Sequence, residues 1–311
     1  MNRSSKALGF IVNPIAGVGY GAACAETVRQ MMKRHGAAGE VVLTRAKGHA
    51  SELAAEYASR GFSRIVAVGG DGTMNEVAQP LVGRAGITFG AVPAGTGNDF
   101  IHVLGFPDRL SEADWEVFFR GSTATMDAGR CNGRYFVNGM GLGFDAHVAA
   151  ENYHVDASGQ AVRGKGSNYM WMIIKAILTY REKPMRVTIQ GKTESKKGFL
   201  NTIANGRRLA GGMYLTPKAL ADDGLLDVCM CDALSLLMRF KELVSVTRRT
   251  HLADPVMHYH QIDRICYEFD TEVPAHTDGE LFFSSRFDID VAPGALRTII
   301  NPAGDHYFRR V

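Results

Sequence analysis

The chain has 311 residues, of which 46% are hydrophobic and 22% charged, and its formal net charge is +3. These are the proportions of an ordinary globular protein of about two domains, and they exclude a disordered, collagen-like or disulfide-stapled chain. A net charge this small gives no reason to expect a nucleic-acid partner.

The cysteines and the N-terminal residues bear on where the protein resides. The five cysteines, at positions 24, 131, 229, 231 and 266, form no C-x-x-C pair, and we expect reduced thiols in a cytosolic protein. Polar residues 1–6 precede only a short apolar run, so no secretory signal is expected. The apolar stretch 170–178 is too short to span a membrane. The sequence therefore predicts a cytoplasmic protein that could touch the inner face of the membrane peripherally.

The first part of the chain alternates short apolar runs with helical segments. The runs are 7–12, 40–44, 64–68 and 87–92, and the helical segments lie near 21–34, 50–59 and 75–82. This alternation predicts βαβ units and a parallel sheet. Glycine-rich turns follow the first, third and fourth runs. Because ligands bind at the carboxyl ends of parallel strands, we expect one ligand to meet all three turns.

The pattern changes near residue 127. Six runs are typical of strands, at 135–142, 186–190, 199–204, 225–231, 262–269 and 287–291, and helices are expected near 166–181 and 235–250. Mostly uninterrupted strands predict an antiparallel sheet or sandwich. We therefore predict an α/β domain over 1–128 and a β-sandwich domain over 129–294. The last segment, 295–311, could return to the first domain.

The strongest chemical signal is the sequence Gly-Gly-Asp-Gly-Thr at 69–73, directly after a strand. Glycines let backbone N–H groups approach an anion, and the helix that follows adds partial positive charge. A carboxylate beside phosphates makes sense when a cation lies between them, so Asp71 indicates Mg²⁺. The alternative is a purely structural turn.

Two further turns, 93–100 and 13–21, each offer glycines at a strand end, and the first of them adds Thr96 and Asp99. Either turn alone is a weak signal, but their common position strengthens both. Neither matches G-x-x-x-x-G-K-[ST], which excludes a P-loop protein. The first turn also lacks the G-x-G-x-x-G pattern of dinucleotide-binding redox enzymes.

Three blocks resemble the catalytic domain of diacylglycerol and sphingosine kinases, particularly the soluble bacterial lipid kinases. They are Asn-Pro at 13–14 with Gly17, Gly-Gly-Asp-Gly-Thr-Met-Asn-Glu at 69–76, and Pro-Ala-Gly-Thr-Gly-Asn-Asp-Phe at 93–100. NAD kinases and phosphofructokinases share the Gly-Gly-Asp-Gly-Thr element, so the resemblance implies an N-terminal domain of that general type. It also implies that ATP contacts Asn13, Gly17, Thr44, Gly70, Asp71, Gly72, Thr73, Met74, Asn75, Glu76 and Thr96.

Later motifs extend the resemblance over nearly the whole chain. By resemblance, Glu280 of the Asp-Gly-Glu sequence at 278–280 is the general base that takes the proton from a lipid hydroxyl. Taken alone, Asp-Gly would indicate only a hairpin turn. A structural Mg²⁺ is implied at Asp223 with the carbonyls of Leu220 and Leu225. Asp127 is expected to join Asp71 and Asp99 in an acidic cluster near the catalytic metal.

Two departures from the family pattern concern positive charge. His102 stands where relatives often carry arginine, and the first loop has no basic residue. Phosphate neutralisation is therefore expected to rest on Mg²⁺ and backbone N–H groups, with His102 assisting when protonated, unless it is only a surface residue. The arginine pairs 207–208, 248–249 and 309–310 could face anionic lipid, but paired surface arginines are usually only solvated. The aromatic and methionine-rich segment 165–174 resembles a segment near the lipid site of the family and suits an acyl-chain groove or a membrane edge, although a core helix is the more common explanation.

The sequence thus predicts an ATP-dependent, Mg²⁺-dependent lipid kinase that phosphorylates a diacylglycerol-like hydroxyl, with Glu280, Asp71 and Asp127 as catalytic residues. Two alternatives stay open at this point: a kinase for a soluble substrate such as NAD, and a non-catalytic nucleotide-binding protein. The sequence predicts transient contact with a membrane surface and leaves a homodimer open.

Overall fold

A computed structural model describes residues 8–151, 153–155, 161–163 and 169–309. Residues 1–6, and 165–168 of the methionine-rich segment, lie outside these ranges. The side chains of 151, 153–155, 161–163 and 169–170 are not described.

The first part of the chain builds a parallel sheet. Its elements are β1 (Leu8–Val12), α1 (Ala16–His35), β2 (Gly39–Leu43), α2 (His49–Ser59), β3 (Arg64–Gly69), α3 (Asp71–Ala78), β4 (Thr88–Pro93), a 3₁₀ turn (Phe100–His102) and α4 (Glu112–Arg120). The strand order is β4-β3-β1-β2, and all these pairs are parallel. Nearly every residue of β1, β3 and β4 is buried, as expected for parallel strands covered on both faces. The carboxyl ends of these three strands are therefore neighbours.

The second part is antiparallel and rich in strands. Its elements are β5 (Thr123–Cys131), β6 (Arg134–Phe136), β7 (Gly139–Gly143), α5 (Phe144–Glu151), β8 (Tyr153–Val155), β9 (Ala161–Arg163), α6 (Tyr169–Thr179), β10 (Pro184–Ile189), β11 (Lys192–Ala204), β12 (Leu226–Asp232), α7 (Leu236–Thr247), a 3₁₀ turn (His251–Ala253), β13 (Met257–Ile262), β14 (Arg264–Thr277) and β15 (Glu280–Ile299). The strand order is β13-β12-β11-β10-β14-β15, and β7 pairs with both β11 and β14. Alternating apolar side chains of these strands form a core separate from that of the parallel sheet.

The long strand β15 joins the two parts. It begins against β14, continues against β5, and ends with Thr298 paired in parallel to Phe89 of β4. After β15, Ile300, Tyr307 and Phe308 pack into the core of the N-terminal part. The C-terminal segment is thus part of the α/β unit.

Strand β5 spans the position where we predicted the domain boundary. Ala124 and Met126 belong to the N-terminal core, whereas Cys131 belongs to the core of the second part. The two units therefore share one continuous strand. All five cysteines are free, and four of them are buried.

Candidate active site

Three loops meet at the carboxyl ends of β1, β3 and β4. Asn13 Nδ2 donates to Thr73 Oγ1 at 3.1 Å, which ties the first loop to the second. A methyl group on Gly17 would lie 2.3 Å from the carbonyl oxygen of Ala94, and one on Gly95 would lie 2.4 Å from the Cα of Gly70. Only glycine permits these backbone approaches. The structure therefore brings the three predicted loops together into one surface.

The other predicted nucleotide contacts border the same surface. Thr44 follows β2, and its N–H donates to the carbonyl of Val12 at 2.8 Å. Thr96 is exposed on the third loop, whereas Met74 is fully buried on α3. Met74 therefore contributes backbone and packing rather than an accessible side chain.

The first loop holds one conformational outlier. Gly17, Val18 and Gly19 all have left-handed backbone, with φ of 57°, 58° and 94°. A β-branched residue is strained in this region, and the Val18 side chain is fully exposed, so no packing offsets the strain.

Replacing Val18 with glycine is therefore expected to stabilise the protein. The relief of about 1–2 kcal/mol of left-handed strain exceeds the extra unfolded-state entropy of glycine, for a net gain of about 0.5–1 kcal/mol. Urea unfolding of the wild type, Val18→Gly and Val18→Ala measures it. The alanine variant should gain less, and a lower unfolding midpoint for Val18→Gly would contradict the argument.

Asp71 begins α3 and faces the third loop. Its Oδ1 accepts from the Phe100 N–H at 3.0 Å, and its Oδ2 is 3.1 Å from the position of a methyl group on Gly97. Asp99 is close by: burial raises the pKa of Asp99 to about 7, and the charge of Asp71 adds to the rise. The charge of Asp71 disfavours ionisation of the neighbouring Asp99. A cation bound by both carboxylates would offset this repulsion.

Arg208 supplies a positive charge that the sequence did not indicate. Its Nε lies 3.6 Å from Asp99 Oδ1, its Nη1 contacts His102 Nε2, and its side chain is only 17% exposed. The expectation of a solvated arginine pair is therefore wrong for Arg208. Burial lowers the pKa of His102, and Arg208 lowers it further, so Arg208 rather than His102 carries the charge here.

Glu280 reaches this site from the second part of the chain. It follows a two-residue turn in which Asp278 and Gly279 both have positive φ, at 47° and 85°, as a type I′ hairpin requires. Its Oε1 lies 3.5 Å from the position of a methyl group on Gly72. The hairpin interpretation of Asp-Gly is therefore confirmed, and the turn presents Glu280 to the start of α3.

Lys47 is a second cation absent from the sequence-based site. Its Nζ lies 2.5 Å from Glu280 Oε2. Glu76 is nearby and accepts from the Gly48 N–H at 3.0 Å. Burial raises the pKa of Glu76, and the charge of Glu280 adds to this rise. The α2 entry loop, which carries Lys47 and Gly48, is therefore part of the site.

Asp278 anchors the hairpin. Its buried carboxylate accepts from the backbone N–H groups of Val137, Asn138 and Gly139 at 2.7, 3.0 and 2.8 Å, and from Asn75 Nδ2 at 2.6 Å. Asn75 lies on α3, directly behind the glycine-rich loop. One carboxylate therefore fixes the position of Glu280 relative to the nucleotide loops.

Asp127 does not join Asp71 and Asp99. Its two oxygens accept from the N–H groups of Gly224 and Gly294, each at 2.7 Å, and its nearest charges are Asp223 and Asp222. Among the described residues no group of three or more Asp, Glu, His or Cys side chains is placed to hold a metal ion. Within the described residues these three carboxylates form no metal-binding group, and Asp127 instead orders the loop before β12 and the irregular part of β15.

The loop containing Asp223 fits a bound cation. Asp223 Oδ1 accepts from the Leu225 N–H at 3.0 Å, but its buried Oδ2 has no hydrogen-bond donor, and Arg309 is 3.7 Å away. Burial raises the pKa of nearby Asp227 to about 6, and the charge of Asp223 adds to the rise. An orphaned buried carboxylate oxygen is what a hard cation would satisfy, together with the carbonyls of Leu220 and Leu225.

If Mg²⁺ binds at this loop, it should stabilise the nucleotide-free protein. At about 100 times its dissociation constant the gain is about 2.7 kcal/mol. We expect Mg²⁺ to raise the Tm of the wild type and of Asp263→Asn, an exposed control, but not that of Asp223→Asn. Equal shifts in all three proteins would place the stabilising cation elsewhere.

A second cluster of polar side chains, Asp145, His276 and Tyr180, lies against the glycines of β7. A methyl group on Gly141 would lie 1.8 Å from Asp145 Oδ2 and 2.7 Å from His276 Nε2, and the two side chains are 3.7 Å apart. Gly143 similarly leaves room for the hydroxyl of Tyr180. Glycines alternate along β7 at 139, 141 and 143, and this pattern in the sequence could have indicated space for neighbouring side chains. Gly139, two residues before Gly141, donates its N–H to Asp278.

The methionine-rich segment divides between core and surface. Met172 and Ile173 are buried on α6, whereas Trp171 is 63% exposed. No helix among the described residues is long and apolar enough to cross a membrane.

The chain matches two adjoining family models. One describes the diacylglycerol kinase catalytic domain and matches residues 7–131; the other describes the YegS C-terminal NAD kinase beta sandwich-like domain and matches residues 132–300. Their junction coincides with the end of β5.

Curated relatives and a solved structure agree with these matches. A protein of Chromohalobacter salexigens named "Probable lipid kinase YegS-like" is 29% identical over 252 residues, which cover 80% of this chain and 79% of the relative. The protein of Bacillus subtilis named "Diacylglycerol kinase" is 28% identical over 242 residues, covering 76% and 77%. A crystal structure described as a diacylglycerol kinase from Bacillus anthracis superposes with a TM-score of 0.73 at 21% identity, covering 97% of this chain and 100% of that one. That last likeness concerns the fold.

Glycine-rich loops on an α/β unit, opposed by a carboxylate from a β-sandwich-like unit, define a two-domain kinase. The chain belongs to the lipid kinase family that joins a diacylglycerol kinase catalytic domain to a YegS-like C-terminal domain.

Proposed function

We propose that this protein transfers the γ-phosphate of ATP to the hydroxyl of a diacylglycerol-like lipid. The observation that carries the proposal is the position of Glu280, whose carboxylate faces the start of α3 from the opposite domain. A non-catalytic nucleotide-binding protein would need no proton acceptor there. The names of the relatives, lipid kinase and diacylglycerol kinase, support the lipid class of acceptor.

The donor side rests on backbone groups and two carboxylates. The converging glycine loops and the N-terminus of α3 offer N–H groups to the phosphates of ATP. Asp71 and Asp99 are suited to hold a Mg²⁺ ion, which would neutralise the phosphate charge when bound. A second, structural cation would be held by Asp223 and the carbonyls of Leu220 and Leu225, and Asp127 orders that loop by accepting from the Gly224 N–H.

The acceptor side rests on Glu280. In the proposed step the lipid hydroxyl oxygen forms a bond to the γ-phosphorus, the bond from that phosphorus to the bridging oxygen breaks, and ADP leaves. Glu280 takes the hydroxyl proton as the new bond forms. Before the acceptor binds, Glu280 pairs with Lys47, whose Nζ lies 2.5 Å from Glu280 Oε2.

The proposal is tested with γ-labelled ATP, Mg²⁺ and the full chain. The acceptors compared are diacylglycerol in mixed micelles, a total bacterial lipid extract, and NAD. Labelled phosphatidic acid, or another labelled lipid from the extract, is the expected product. Label on NAD alone, or nucleotide binding without transfer to any acceptor, would overturn the proposal.

A further inference from the structure

Helix α7 exposes an apolar face. Its buried side carries Arg239, Glu242 and Val246. Its outward side carries Leu236, Leu237, Phe240 and Val244, which are 46%, 83%, 37% and 49% exposed. Positions 237, 240 and 244 recur at helical spacing and share one face. An amphipathic helix normally buries its apolar side chains against the protein. In α7, these four apolar side chains face solvent instead.

Helix α6 adds to this surface. Trp171 and Leu178 lie seven residues apart and are 63% and 59% exposed, while the opposite side of α6 is buried. The two helices lie side by side, because Leu243 of α7 packs against the buried residues of α6. We call the six outward residues the α6–α7 face: Trp171, Leu178, Leu236, Leu237, Phe240 and Val244. They are six of the ten large apolar side chains that the described part of the chain exposes.

Among the described side chains of α6 and α7, the exposed charged residues are basic. Lys175 is exposed between Trp171 and Leu178, and Arg248 and Arg249 are exposed where α7 ends. The described side chains of α6 include no acidic residue, and the only acidic residue of α7, Glu242, is buried with 5% of its side chain exposed. An apolar face with a basic border complements an anionic bilayer, whereas a protein partner would typically call for charges of both signs.

The α6–α7 face also adjoins the active site. The guanidinium of Arg249 lies 3.6 Å from the ring centre of Tyr214, and the neighbouring Met213 packs against the α6 core. Two residues earlier in the same loop, the Gly211 N–H donates to Asp99 at 2.7 Å. One short loop therefore separates the end of α7 from the carboxylates of the site.

We propose that the α6–α7 face docks this protein onto an anionic lipid bilayer, with the active site beside the membrane surface. The inference rests on the proposed function, since a bilayer is where a diacylglycerol-like acceptor resides. The exposed apolar side chains enter the interfacial region, and the arginines at the end of α7 contact lipid phosphates.

The test uses the full chain and the variant Leu237→Glu/Phe240→Glu, which alters two exposed positions outside the catalytic machinery. Its control is Arg84→Gln/Ala85→Glu, which changes the net charge equally on an exposed loop of the α/β unit. Binding to vesicles of phosphatidylcholine with roughly 30% phosphatidylglycerol is measured by sedimentation, and we expect at least about tenfold weaker binding for the face variant alone. Equal binding by all three proteins would overturn the proposal. So would a concentration-dependent dimer that the face variant abolishes without any vesicle binding by the wild type.

Kinase assays distinguish a failure of the docking proposal from a failure of the proposed lipid kinase function. The face variant should lose activity on vesicle-borne diacylglycerol by about tenfold, yet match the wild type on a dispersed short-chain diacylglycerol. Equal loss on both acceptors would indicate damage to the site and would overturn the docking role. A wild type that binds vesicles but phosphorylates neither acceptor would instead overturn the proposed function.

Discussion

Replacing Glu280 with glutamine should lower kcat by about 10²–10⁴-fold, which is the usual contribution of a general base. Glutamine keeps the shape of the side chain but cannot accept a proton from the lipid hydroxyl. The KM for ATP should change little, because in the proposed function the glycine-rich loops and the N-terminus of α3, not Glu280, bind the phosphates. Steady-state kinetics with the lipid acceptor that the labelling experiment identifies measure both values.

Folding should survive this change. The Glu280 side chain is 29% exposed, and its ion-pair partner Lys47 is 66% exposed, so water can solvate the lysine when its partner is lost. The matched control is Glu268→Gln on β14, which pairs with Arg186 and Arg286, both 58% exposed. The control should keep wild-type activity. If Glu280→Gln keeps more than about a tenth of it, Glu280 is not the proton acceptor.

Asp278→Asn should destabilise the protein by about 3 kcal/mol. The wild-type carboxylate accepts four hydrogen bonds within the interior. An asparagine amide group would point its own N–H bonds at one pair of these donors, leaving buried groups unsatisfied, and bonds to a charged acceptor are the stronger kind. Urea unfolding monitored by circular dichroism measures the loss.

The same change should reduce kcat under conditions where the variant is fully folded. Asp278 is a positioning residue: it fixes the hairpin two residues before Glu280 and does not touch the reacting atoms itself. We expect a lower kcat with nearly unchanged nucleotide affinity, since the glycine loops remain intact. A purely structural role would leave the folded fraction with a wild-type kcat.

Asp290→Asn is the control for this experiment. Asp290 also lies on β15, but it pairs with Arg130 at the surface through bonds of 2.9 and 2.6 Å. Exposed pairs contribute about 0–1 kcal/mol, so this variant should unfold close to the wild type. A similar loss for both variants would show that the buried donors around Asp278 contribute no more than a surface ion pair.

The site shows why some of its residues were accessible to sequence reasoning. The glycines of the three loops are dictated by local backbone geometry, because only they permit the approach of Gly17 to Ala94 or of Gly95 to Gly70. The Asp-Gly dipeptide likewise specifies the hairpin turn before Glu280. Such requirements are local, so they leave local marks in the sequence.

Other residues carried no such mark. Arg208, Lys47 and the donors to Asp278 come from positions distant in the chain, and nothing in their own neighbourhood separates them from ordinary surface or strand residues. The run 135–142 was predicted as one strand, but it divides into β6 and β7. The interruption at Val137 and Asn138 turns their two N–H groups toward Asp278. Only the tertiary fold shows that the Asp278 carboxylate lies there to accept them.

The start of helix α4 is recognisable in the sequence. Helix α4 begins at a capping box in which the Ser111 hydroxyl accepts from the Asp114 N–H and Asp114 accepts from the Ser111 N–H. Serine followed three residues later by an acidic residue is a recognised helix start. The twenty-residue span of β15 had no comparable signal, because its apolar side chains serve two different cores in succession.

By itself, the sequence determined the βαβ alternation, the loops at the strand ends and the separate strand-rich half, since each follows from periodicity and backbone chemistry within a few residues. The tertiary structure alone decided which charges meet. It placed Asp127 beside Asp223 and Asp222, and it brought Arg208 to Asp99. Charged side chains interact with whatever lies close to them in the folded protein, and strand pairing rather than separation along the chain decides which residues those are. The sequence around an acidic residue at a strand end therefore does not show which charged residue will be its neighbour.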